Sequence, residues 1–507
     1  MSQRLGFLLK RLQLSGHPVL KDIDIPFCDG DSLSDPDNIY ITGIIGANGT
    51  GKSHLLSAIA VVFSEIQKAQ YDGKVGERKF TFTIDYSYCG EDYHISNSLK
   101  YGYYTLISRD NRDNGIHAEK NGDPIDIEEV LLPDRIIAST MTVTDKFLAR
   151  TDDFYRYRGI RNEKSASTTG TRTIIRKTVD SIMDCMAFKQ EFQDELKTLL
   201  NNLGLEEHMH IKYAMRYKDL FLQENISANR IRDIFDHWED YFLVRKSAPW
   251  GYNNYLTIRD NDALLQEAAM FLSRLAGQRR YSNSYVVSYD VMDSSGDFQR
   301  DAGALRTLTK LDLVTFPSIS VVKKGNPYGF ENSSSGETHL LCQFIGIMAD
   351  IRSDSLILID EPENSSHPEW QMKYIGWLKD IFKKYRGSHF IIATHSPLIL
   401  ANLKATESTI VRLKRSDNGQ IVDEGGMESG CYSWTIDEIL QNVMEMKSSH
   451  TVEFDSLMQT FNEALDNDDR QLAQSAYEKL VKMIRPGNVL AELLRIQMIG
   501  MSRTKYD

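Results

Sequence analysis

Several features that would define a membrane or disulfide-rich protein are missing from the 507-residue chain. No apolar run approaches the roughly 18 residues needed to span a bilayer. The N-terminus interleaves Arg and Lys with Leu, as a strand would, so no signal peptide is expected. The five cysteines are scattered without C-x-x-C spacing, which argues against a zinc site and a disulfide framework. We therefore expect an ordinary cytoplasmic globular protein, without a membrane segment, of two to three domains.

An excess of positive charge is also missing. The formal net charge of −12 argues against a surface that is basic all over and binds nucleic acid by charge alone. A local basic patch is still compatible with it, because residues 156–177 carry seven basic side chains and one acidic one. Two interpretations stay open: a patch that contacts phosphates, or a solvated and partly disordered loop. The basic residues are Arg156, Arg158, Arg161, Lys164, Arg172, Arg176 and Lys177.

The strongest pattern lies at residues 46–53, which read G-A-N-G-T-G-K-S and match the P-loop G-x-x-x-x-G-K-[ST]. A β-branched run at 39–45 predicts a buried strand before it, and apolar spacing at 53–63 predicts a helix after it. Glycines let backbone N–H groups point at phosphates, while Lys52 can reach the β- and γ-phosphates and Ser53 can ligate Mg²⁺. The predicted nucleotide-binding residues are Gly46, Asn48, Gly49, Thr50, Gly51, Lys52, Ser53 and His54.

Two further strand ends carry polar side chains. An apolar strand predicted at 355–360 ends in Asp360 and Glu361. Asp360 is the predicted Mg²⁺ ligand beside Ser53, and Glu361 is the group expected to orient or deprotonate the attacking water. His395 follows another buried strand, where it could sense or bind the γ-phosphate. Glu361, His395 and Lys52 are the predicted catalytic residues; the alternative is a pair of strand-capping acids and a structural histidine.

The order of the predicted elements indicates an α/β fold. Strand-like runs at 5–14, 19–27 and 79–85 predict an opening β-layer, and 135–139 is expected to re-enter the central sheet. Helical spacing at 178–203, 229–243 and 263–275 predicts a mostly helical insertion. Strands and helices then alternate from 311 to 397, as in a parallel sheet. We predict an N-terminal lobe at 1–150, an insertion at 151–305, a C-terminal lobe at 306–430 and a C-terminal helical module at 431–507.

Four motifs occur in a fixed order: the P-loop, S-S-S-G-E at 333–337, I-L-I-D-E-P-E at 357–363 and A-T-H-S-P at 393–397. Together they resemble the ATPase heads of the ABC/SMC superfamily, which includes RecF-like and OLD-like proteins. The resemblance implies an ABC/SMC-type head that uses ATP and Mg²⁺, with His395 as its switch histidine. It also implies a signature turn, formed by Ser334, Ser335, Gly336 and Glu337, that acts in trans on the nucleotide of a second head.

Other segments match the same superfamily less completely. Residues 364–371 resemble a D-loop, although Ser366 stands where relatives usually carry Leu. Residues 139–147 occupy the expected Q-loop position without a glutamine.

Residues 135–147 and 155–161 resemble segments of bacterial anti-phage defence ATPases, the PtuA family of the Septu system and its retron-associated relatives. That resemblance implies a homodimer or higher homo-oligomer, formed through ATP-sandwiched heads, that regulates a PtuB-like HNH nuclease acting on phage DNA. Contact of this chain with DNA would then be indirect, or would use the local basic patch.

Two alternatives stay open: a RecF/SMC-like DNA-repair ATPase that clamps DNA directly, and an OLD-type ATP-dependent nuclease. The second would need the carboxylates of a TOPRIM domain, which residues 421–426 and 466–468 mimic. Residues 466–469, however, separate two amphipathic helices predicted at 452–465 and 471–484, so no intrinsic nuclease is expected. This C-terminal module either packs against the head or docks a partner.

Residues 206–210 read E-E-H-M-H and contain potential metal ligands. A His-x-His pair in a short mixed segment is usually an exposed strand or turn, so no metal site is predicted there.

Overall fold

The computed structural model describes residues 6–28, 39–72, 80–97, 115–161, 171–188, 191–241, 251–278, 286–315, 317–404, 406–416, 421–423, 434–442, 451–485 and 488–503. They belong to two compact units, Met1–Ser433 and Trp434–Asp507. Within these described ranges, no helix combines the length and the apolar character needed to cross a membrane.

The first unit contains 17 strands and 12 α-helices among its described residues. The strands are β1 (Leu8–His17), β2 (Lys21–Pro26), β3 (Tyr40–Gly46), β4 (Thr81–Tyr88), β5 (Glu91–Asn97), β6 (Ile116–Lys120), β7 (Asp123–Ile125), β8 (Ile136–Thr140), β9 (Tyr155–Arg158), β10 (Met209–Ala214), β11 (Val286–Asp290), β12 (Ser318–Lys323), β13 (Asn326–Gly329), β14 (Leu356–Asp360), β15 (His389–Thr394), β16 (Ser408–Arg415) and β17 (Ile421–Asp423). The helices are α1 (Lys52–Asp72), α2 (Thr171–Phe188), α3 (Phe192–Asn202), α4 (Lys218–Phe221), α5 (Ala228–Asp236), α6 (Trp238–Tyr241), α7 (Tyr252–Ile258), α8 (Asp262–Gln278), α9 (Asp297–Lys310), α10 (Ser335–Asp350), α11 (Pro368–Phe382) and α12 (Pro397–Leu400).

The central sheet has seven strands in the order β17-β16-β3-β15-β14-β8-β9, and all of its pairs are parallel except that of the edge strand β17. In its register, Asp360 on β14 lies beside Ala393 on β15, and Ala393 lies beside Ile44 on β3. Since parallel strands end at the same edge of a sheet, the P-loop, the acids after β14 and the histidine after β15 meet there. Every residue of β14 and β15 is buried, as expected for a sheet covered on both faces.

A six-stranded antiparallel sheet, in the order β2-β1-β4-β5-β6-β7, forms the predicted β-layer. The P-loop helix α1 packs against this layer through Phe63, whose ring centroid lies 5.6 Å from that of Phe7 and 5.5 Å from that of Tyr86. Helix α1 also contacts β3, β14 and β15 of the central sheet. One apolar core thus fixes α1 between the two sheets, and the prediction of an α/β head with a β-layer is confirmed.

A third sheet, with the order β11-β10-β12-β13, was not predicted. Strands β10 and β11 lie in the segment expected to be mostly helical, and β12 lies where the head was expected to resume. The sequence does carry a local signal for β10, because every second residue of M-H-I-K-Y-A is apolar and buried, as in a half-buried strand. Such short strands pair across large separations in sequence, which a local pattern cannot show.

The helices of the insertion also differ from the prediction in detail. The single helix predicted at 178–203 is replaced by α2 and α3, with residues 189–190 between them outside the described ranges. The helix predicted at 229–243 corresponds to the shorter α5 and α6, and residues 242–243 are not described. Helix α8 confirms the prediction at 263–275.

Four of the seven cations at 156–177 face acceptors of the same chain, so they do not form one solvent-facing basic patch. Strand β9 carries two of them into the central sheet, beyond the boundary predicted at residue 150. Arg172 and Arg176 are exposed, and Lys164 lies outside the described residues. The inward contacts are those of Arg156 and Arg158 with Asp350, of Arg161 with Asp145, and of Lys177 with the carbonyl oxygens of Gly159 and Arg161.

The second unit contains helices α13 (Ile436–Asn442), α14 (Val452–Asp466), α15 (Arg470–Met483) and α16 (Val489–Arg503). Its core includes Phe461, Leu480 and Leu494. Thr435 and Glu438 form a reciprocal capping box at the start of α13. The acidic run at 466–469 lies between two helices, as predicted, and therefore does not have the strand context of a TOPRIM metal site.

Candidate nucleotide-binding site

The P-loop connects the end of β3 to the start of α1 through a backbone that needs glycine. Gly49 and Gly51 have φ of 82° and 92°, in the left-handed region that side chains disfavour. A Cβ on Gly46 would lie only 2.3 Å from the carbonyl oxygen of Leu413. Thr50 closes the turn, since its hydroxyl donates to the carbonyl oxygen of Ala47 at 2.8 Å. The result is a compact turn of the kind whose N–H groups cradle phosphates.

Lys52 lies at the first position of α1 with only 4% of its surface exposed. Its ammonium group donates to the carbonyl oxygen of Gly46 at 2.7 Å. Burial lowers the pKa of Lys52 to about 8, against the opposing effect of three nearby carboxylates, among which Glu361 is the strongest. An anion in the cradle would favour the charged form, so the surroundings of this lysine suit a phosphate.

Ser53 and Asp360 form the part of the site that could hold a metal. The Ser53 hydroxyl donates to Oδ1 of Asp360 at 3.1 Å. Asp360 is 2% exposed, and burial raises its pKa to about 7, with Glu361 among the carboxylates that add to the shift. A hydroxyl and a carboxylate are oxygen ligands of the type that Mg²⁺ binds, and a cation would offset the charge of these crowded acids. The residues present therefore fit Mg²⁺.

Glu361 and His395 lie beside Lys52. Glu361 has φ of 50°, which turns the chain sharply out of β14, and its backbone N–H donates to the carbonyl oxygen of Ala393 at 2.9 Å. Nε2 of His395 is 3.7 Å from Oε1 of Glu361, and Nδ1 is 3.3 Å from Nζ of Lys52. Burial, together with the charge of Lys52, lowers the pKa of His395. Both effects favour the neutral form of the imidazole.

Two acids at this edge were missed in the sequence. Glu363 accepts a hydrogen bond from the backbone N–H of His395 at 2.5 Å, and burial raises its pKa. Its second oxygen, Oε2, is buried without a hydrogen-bond partner among the described residues. The sequence signal that could have indicated Glu363 is its position in the acidic run D-E-P-E at 360–363.

The other acid that was not predicted is Asp145, which lies at the expected Q-loop position, residues 139–147. Its side chain is 0% exposed and accepts from the Tyr157 hydroxyl at 2.8 Å and from the Arg161 guanidinium. Its charge contributes to the raised pKa of Asp360. The neighbouring carbonyl oxygen of Lys146 accepts from the Ser57 hydroxyl on α1 at 2.8 Å, so this segment is fixed to the P-loop helix.

The predicted signature turn is half exposed. Ser334 caps α10, its hydroxyl accepting from the backbone N–H of Glu337 at 3.2 Å, and both Ser334 and Ser335 are exposed. Gly336 and Glu337 are buried. A Cβ on Gly336 would lie 2.2 Å from the carbonyl oxygen of Ser365, so the turn packs against the D-loop of its own subunit. The two serines stay accessible to another molecule.

Hydrogen bonds connect the D-loop to the histidine strand. The Gln371 side chain donates to the carbonyl oxygen of Ser366 at 2.9 Å and accepts from the Ser396 hydroxyl at 2.6 Å. Ser396 directly follows His395. A continuous set of contacts therefore joins Gly336, through the D-loop, to the histidine beside Lys52.

The last two predicted nucleotide-binding residues lie at the margins of the site. Asn48 is exposed at the tip of the P-loop. His54 is half-buried in the first turn of α1, where burial and the charge of Lys146 lower its pKa. The structure brings Lys52, Ser53 and the strand-end residues together, while the role of each individual residue stays a prediction.

Residues 167–401 match the family described as "AAA domain, putative AbiEii toxin, Type IV TA system". This range is less than half of the chain. It includes the signature turn and the ends of β14 and β15, and it excludes the P-loop. The Septu protein PtuA of Bacillus thuringiensis is 28% identical over 202 residues, which are 37% of this chain and 50% of PtuA. The Retron Vc95 probable ATPase of Vibrio cholerae serotype O1 biovar El Tor is 28% identical over 108 residues, which are 18% of this chain and 20% of that protein. The chain thus spans about half the length of PtuA.

Among solved structures, the SMC head domain from Thermotoga maritima aligns with 82% of this chain and 99% of its own, at 12% identity and a TM-score of 0.36. A TM-score this low does not by itself establish a common fold. The topology of the central sheet and the motifs at its edge fit an ABC/SMC-like ATPase head, and the chain is similar in sequence to PtuA.

Proposed function

We propose that the chain is the ATP-binding and ATP-hydrolysing subunit of a bacterial anti-phage defence system, acting in the cytoplasm with a partner HNH nuclease. The observation that carries the proposal is the convergence of Lys52, Ser53, Asp360, Glu361 and His395 at one edge of the parallel sheet. The similarity to PtuA supports the defence setting.

The residues divide the work of hydrolysis by their chemistry. The P-loop N–H groups and Lys52 bind the phosphates of ATP. Ser53 and Asp360 would hold Mg²⁺, which supplies charge neutralisation at the β- and γ-phosphate oxygens when bound. Glu361 would orient the water and accept its proton, and His395, which faces both Glu361 and Lys52, would contact the γ-phosphate.

The nucleotide is proposed to lie between two copies of the chain. Ser334 and Ser335 are exposed at the start of α10, where backbone N–H groups and the helix dipole favour an anion. One copy would offer these serines to the phosphates held by the P-loop of the other. The contacts from Gly336 through Ser366 and Gln371 to Ser396 would then connect each signature turn with its own nucleotide site.

The nuclease activity is assigned to the partner, and this chain licenses or restrains it. The described cations of β9 face Asp350 inside the head, which is why DNA contact is proposed to go through the partner.

The test combines hydrolysis and cleavage. The purified chain should hydrolyse ATP only with Mg²⁺, and phage DNA should be cleaved only when a PtuB-like HNH protein is added, with a Lys52→Ala chain as control. Metal-dependent nicking by the chain alone, lost in Asp468→Ala, would support an OLD-type nuclease instead. Tight, salt-sensitive DNA binding by the chain alone would support a RecF/SMC-like clamp.

A further inference from the structure

A second cluster of polar side chains lies on the outer face of the four-stranded sheet. His208 and His210 are two residues apart at the start of β10, so their side chains point to the same face. Asp290 on β11 and Ser320 on β12 are the direct cross-strand partners of His210. The next residue, Ile211, is fully buried on the opposite, apolar face. Three antiparallel strands therefore present their polar side chains at one spot.

The geometry of this cluster suits a metal ion. One nitrogen of each histidine and one carboxylate oxygen of Asp290 all lie within 4.8 Å of one another. Nδ1 of His208 is 2.6 Å from Oδ2 of Asp290, and the two imidazole rings are parallel within 3°. Ligands about 2.0–2.2 Å from a tetrahedral ion are themselves about 3.3 Å apart, which small side-chain rotations would achieve here.

The surroundings of Asp290 hold its carboxylate in place. Its Oδ1 accepts from the backbone N–H groups of Met209 at 3.3 Å and Met292 at 3.0 Å, so Oδ2 is directed to His208. Hydrogen bonds of this kind orient the ligands of protein metal sites. The hydroxyl of Ser320 is buried and has no hydrogen-bond partner within the part of the chain that the structure describes. It offers one more oxygen beside His210.

We propose that His208, His210 and Asp290 bind a divalent transition-metal ion of the Zn²⁺ class. Two imidazoles and a carboxylate are a ligand set that Zn²⁺ takes in proteins, and three protein ligands leave one position for water or an exchangeable ligand. This site differs from the Ser53–Asp360 pair, whose ligands are all oxygen. The ion would join β10 to β11 through residues 82 positions apart in the sequence.

The proposed site also has a structural connection to the head. Strand β12 forms a hairpin with β13. Nζ of Lys323, the last residue of β12, lies 3.4 Å from Oε1 of Glu337 in the signature turn. An ion on β10 and β11 would stiffen the sheet on which that hairpin is built.

The experiment uses the full chain, freed of metal with a chelator and dialysed against Zn²⁺ without nucleotide. One Zn²⁺ per chain should be retained, and His208→Ala, His210→Ala and Asp290→Asn should each weaken binding by more than about 100-fold, because even groups that only orient a ligand change affinity by 10–100-fold. Co²⁺ in place of Zn²⁺ should give visible d–d absorption without the charge-transfer bands of a thiolate ligand. These readouts do not depend on ATP hydrolysis.

His94→Ala is the matched control. His94 also pairs with a cross-strand aspartate, Asp85, at 2.6 Å, but it belongs to no described group of three metal ligands. This variant should bind Zn²⁺ as the unaltered chain does. The proposal is overturned if the unaltered chain retains no Zn²⁺, if His210→Ala retains as much as the unaltered chain, or if His94→Ala loses as much as His210→Ala.

Discussion

The nucleotide-site cluster and the His208–His210–Asp290 cluster, both at strand ends, differ in how their charges are compensated. At the edge of the central sheet, Lys52 and Asp360 are almost fully buried, and burial is the largest cause of their pKa shifts. On the four-stranded sheet, His208 is exposed, and its pKa is raised mainly by its hydrogen bond to Asp290. A buried cluster holds charges at a cost that a bound ligand can offset, whereas in the partly exposed cluster solvent and the His208–Asp290 hydrogen bond already compensate part of the charge. This difference supports the proposal that the phosphates bind at the first cluster.

The largest effect is expected from Glu361→Gln. A general base typically contributes 10²–10⁴-fold, so hydrolysis should fall by about that factor while ATP binding is retained. Steady-state phosphate release and binding of a fluorescent ATP analogue measure the two quantities. Glu369→Gln is the control, because Glu369 is exposed on α11 and pairs with Lys373. Equal rates of ATP hydrolysis by Glu361→Gln and Glu369→Gln would show that Glu361 is not the general base.

Lys52→Ala should weaken ATP binding by about 100-fold or more, since a buried charged hydrogen bond to phosphate is lost. Titration calorimetry gives the affinity directly. Lys68→Ala changes an exposed lysine on the same helix and should bind ATP as the unaltered chain does. If the two variants bind equally well, the cradle is not the phosphate site.

Gly336→Ala should separate the signature turn from the D-loop, because the new Cβ would lie 2.2 Å from the carbonyl oxygen of Ser365. Overpacking of this kind costs about 2 kcal/mol, so the melting temperature and hydrolysis should both fall while ATP affinity changes little. Gly376→Ala is the control, since nothing lies within 4 Å of a Cβ there. Its helical position should make it neutral or slightly stabilising. An unchanged rate of ATP hydrolysis by Gly336→Ala would show that the signature turn does not influence the nucleotide site.

The smallest effect is expected from His210→Ala at the second cluster. The ion pair of this cluster is formed by His208 and Asp290, so loss of the His210 side chain should change the stability of the metal-free chain little, and ATP affinity should be unchanged. Chemical denaturation and the same calorimetric titration measure both. A loss of ATP affinity as large as that of Lys52→Ala would mean that the two clusters are not independent.

Local signals explain what the sequence could predict. The P-loop, the apolar strand before Asp360 and the strand before His395 each lie within about 15 consecutive residues, and a parallel sheet brings such strand ends together. The two C-terminal helices followed from their apolar spacing and the acidic run between them.

The features that the sequence did not reveal depend on contacts between distant segments. The four-stranded sheet pairs β10 with β11 and β12, and Asp290 reaches His208 across 82 positions. The basic residues of β9 looked like a solvent patch because their partner, Asp350, is 192 positions away from Arg158. Glu363 and Asp145 were overlooked because their burial, not their type, makes them part of the site.

The central claim is that ATP lies between the P-loop of one copy and the signature serines of another. Its most direct test is ATP hydrolysis by a 1:1 mixture of Lys52→Ala and Ser335→Arg chains; Ser335 is exposed, so the arginine should not disturb folding. In a mixed pair with two-fold symmetry one composite site keeps both intact halves, and random pairing then predicts recovery to about one quarter of the unaltered activity. A mixture as inactive as each variant alone would contradict the claim.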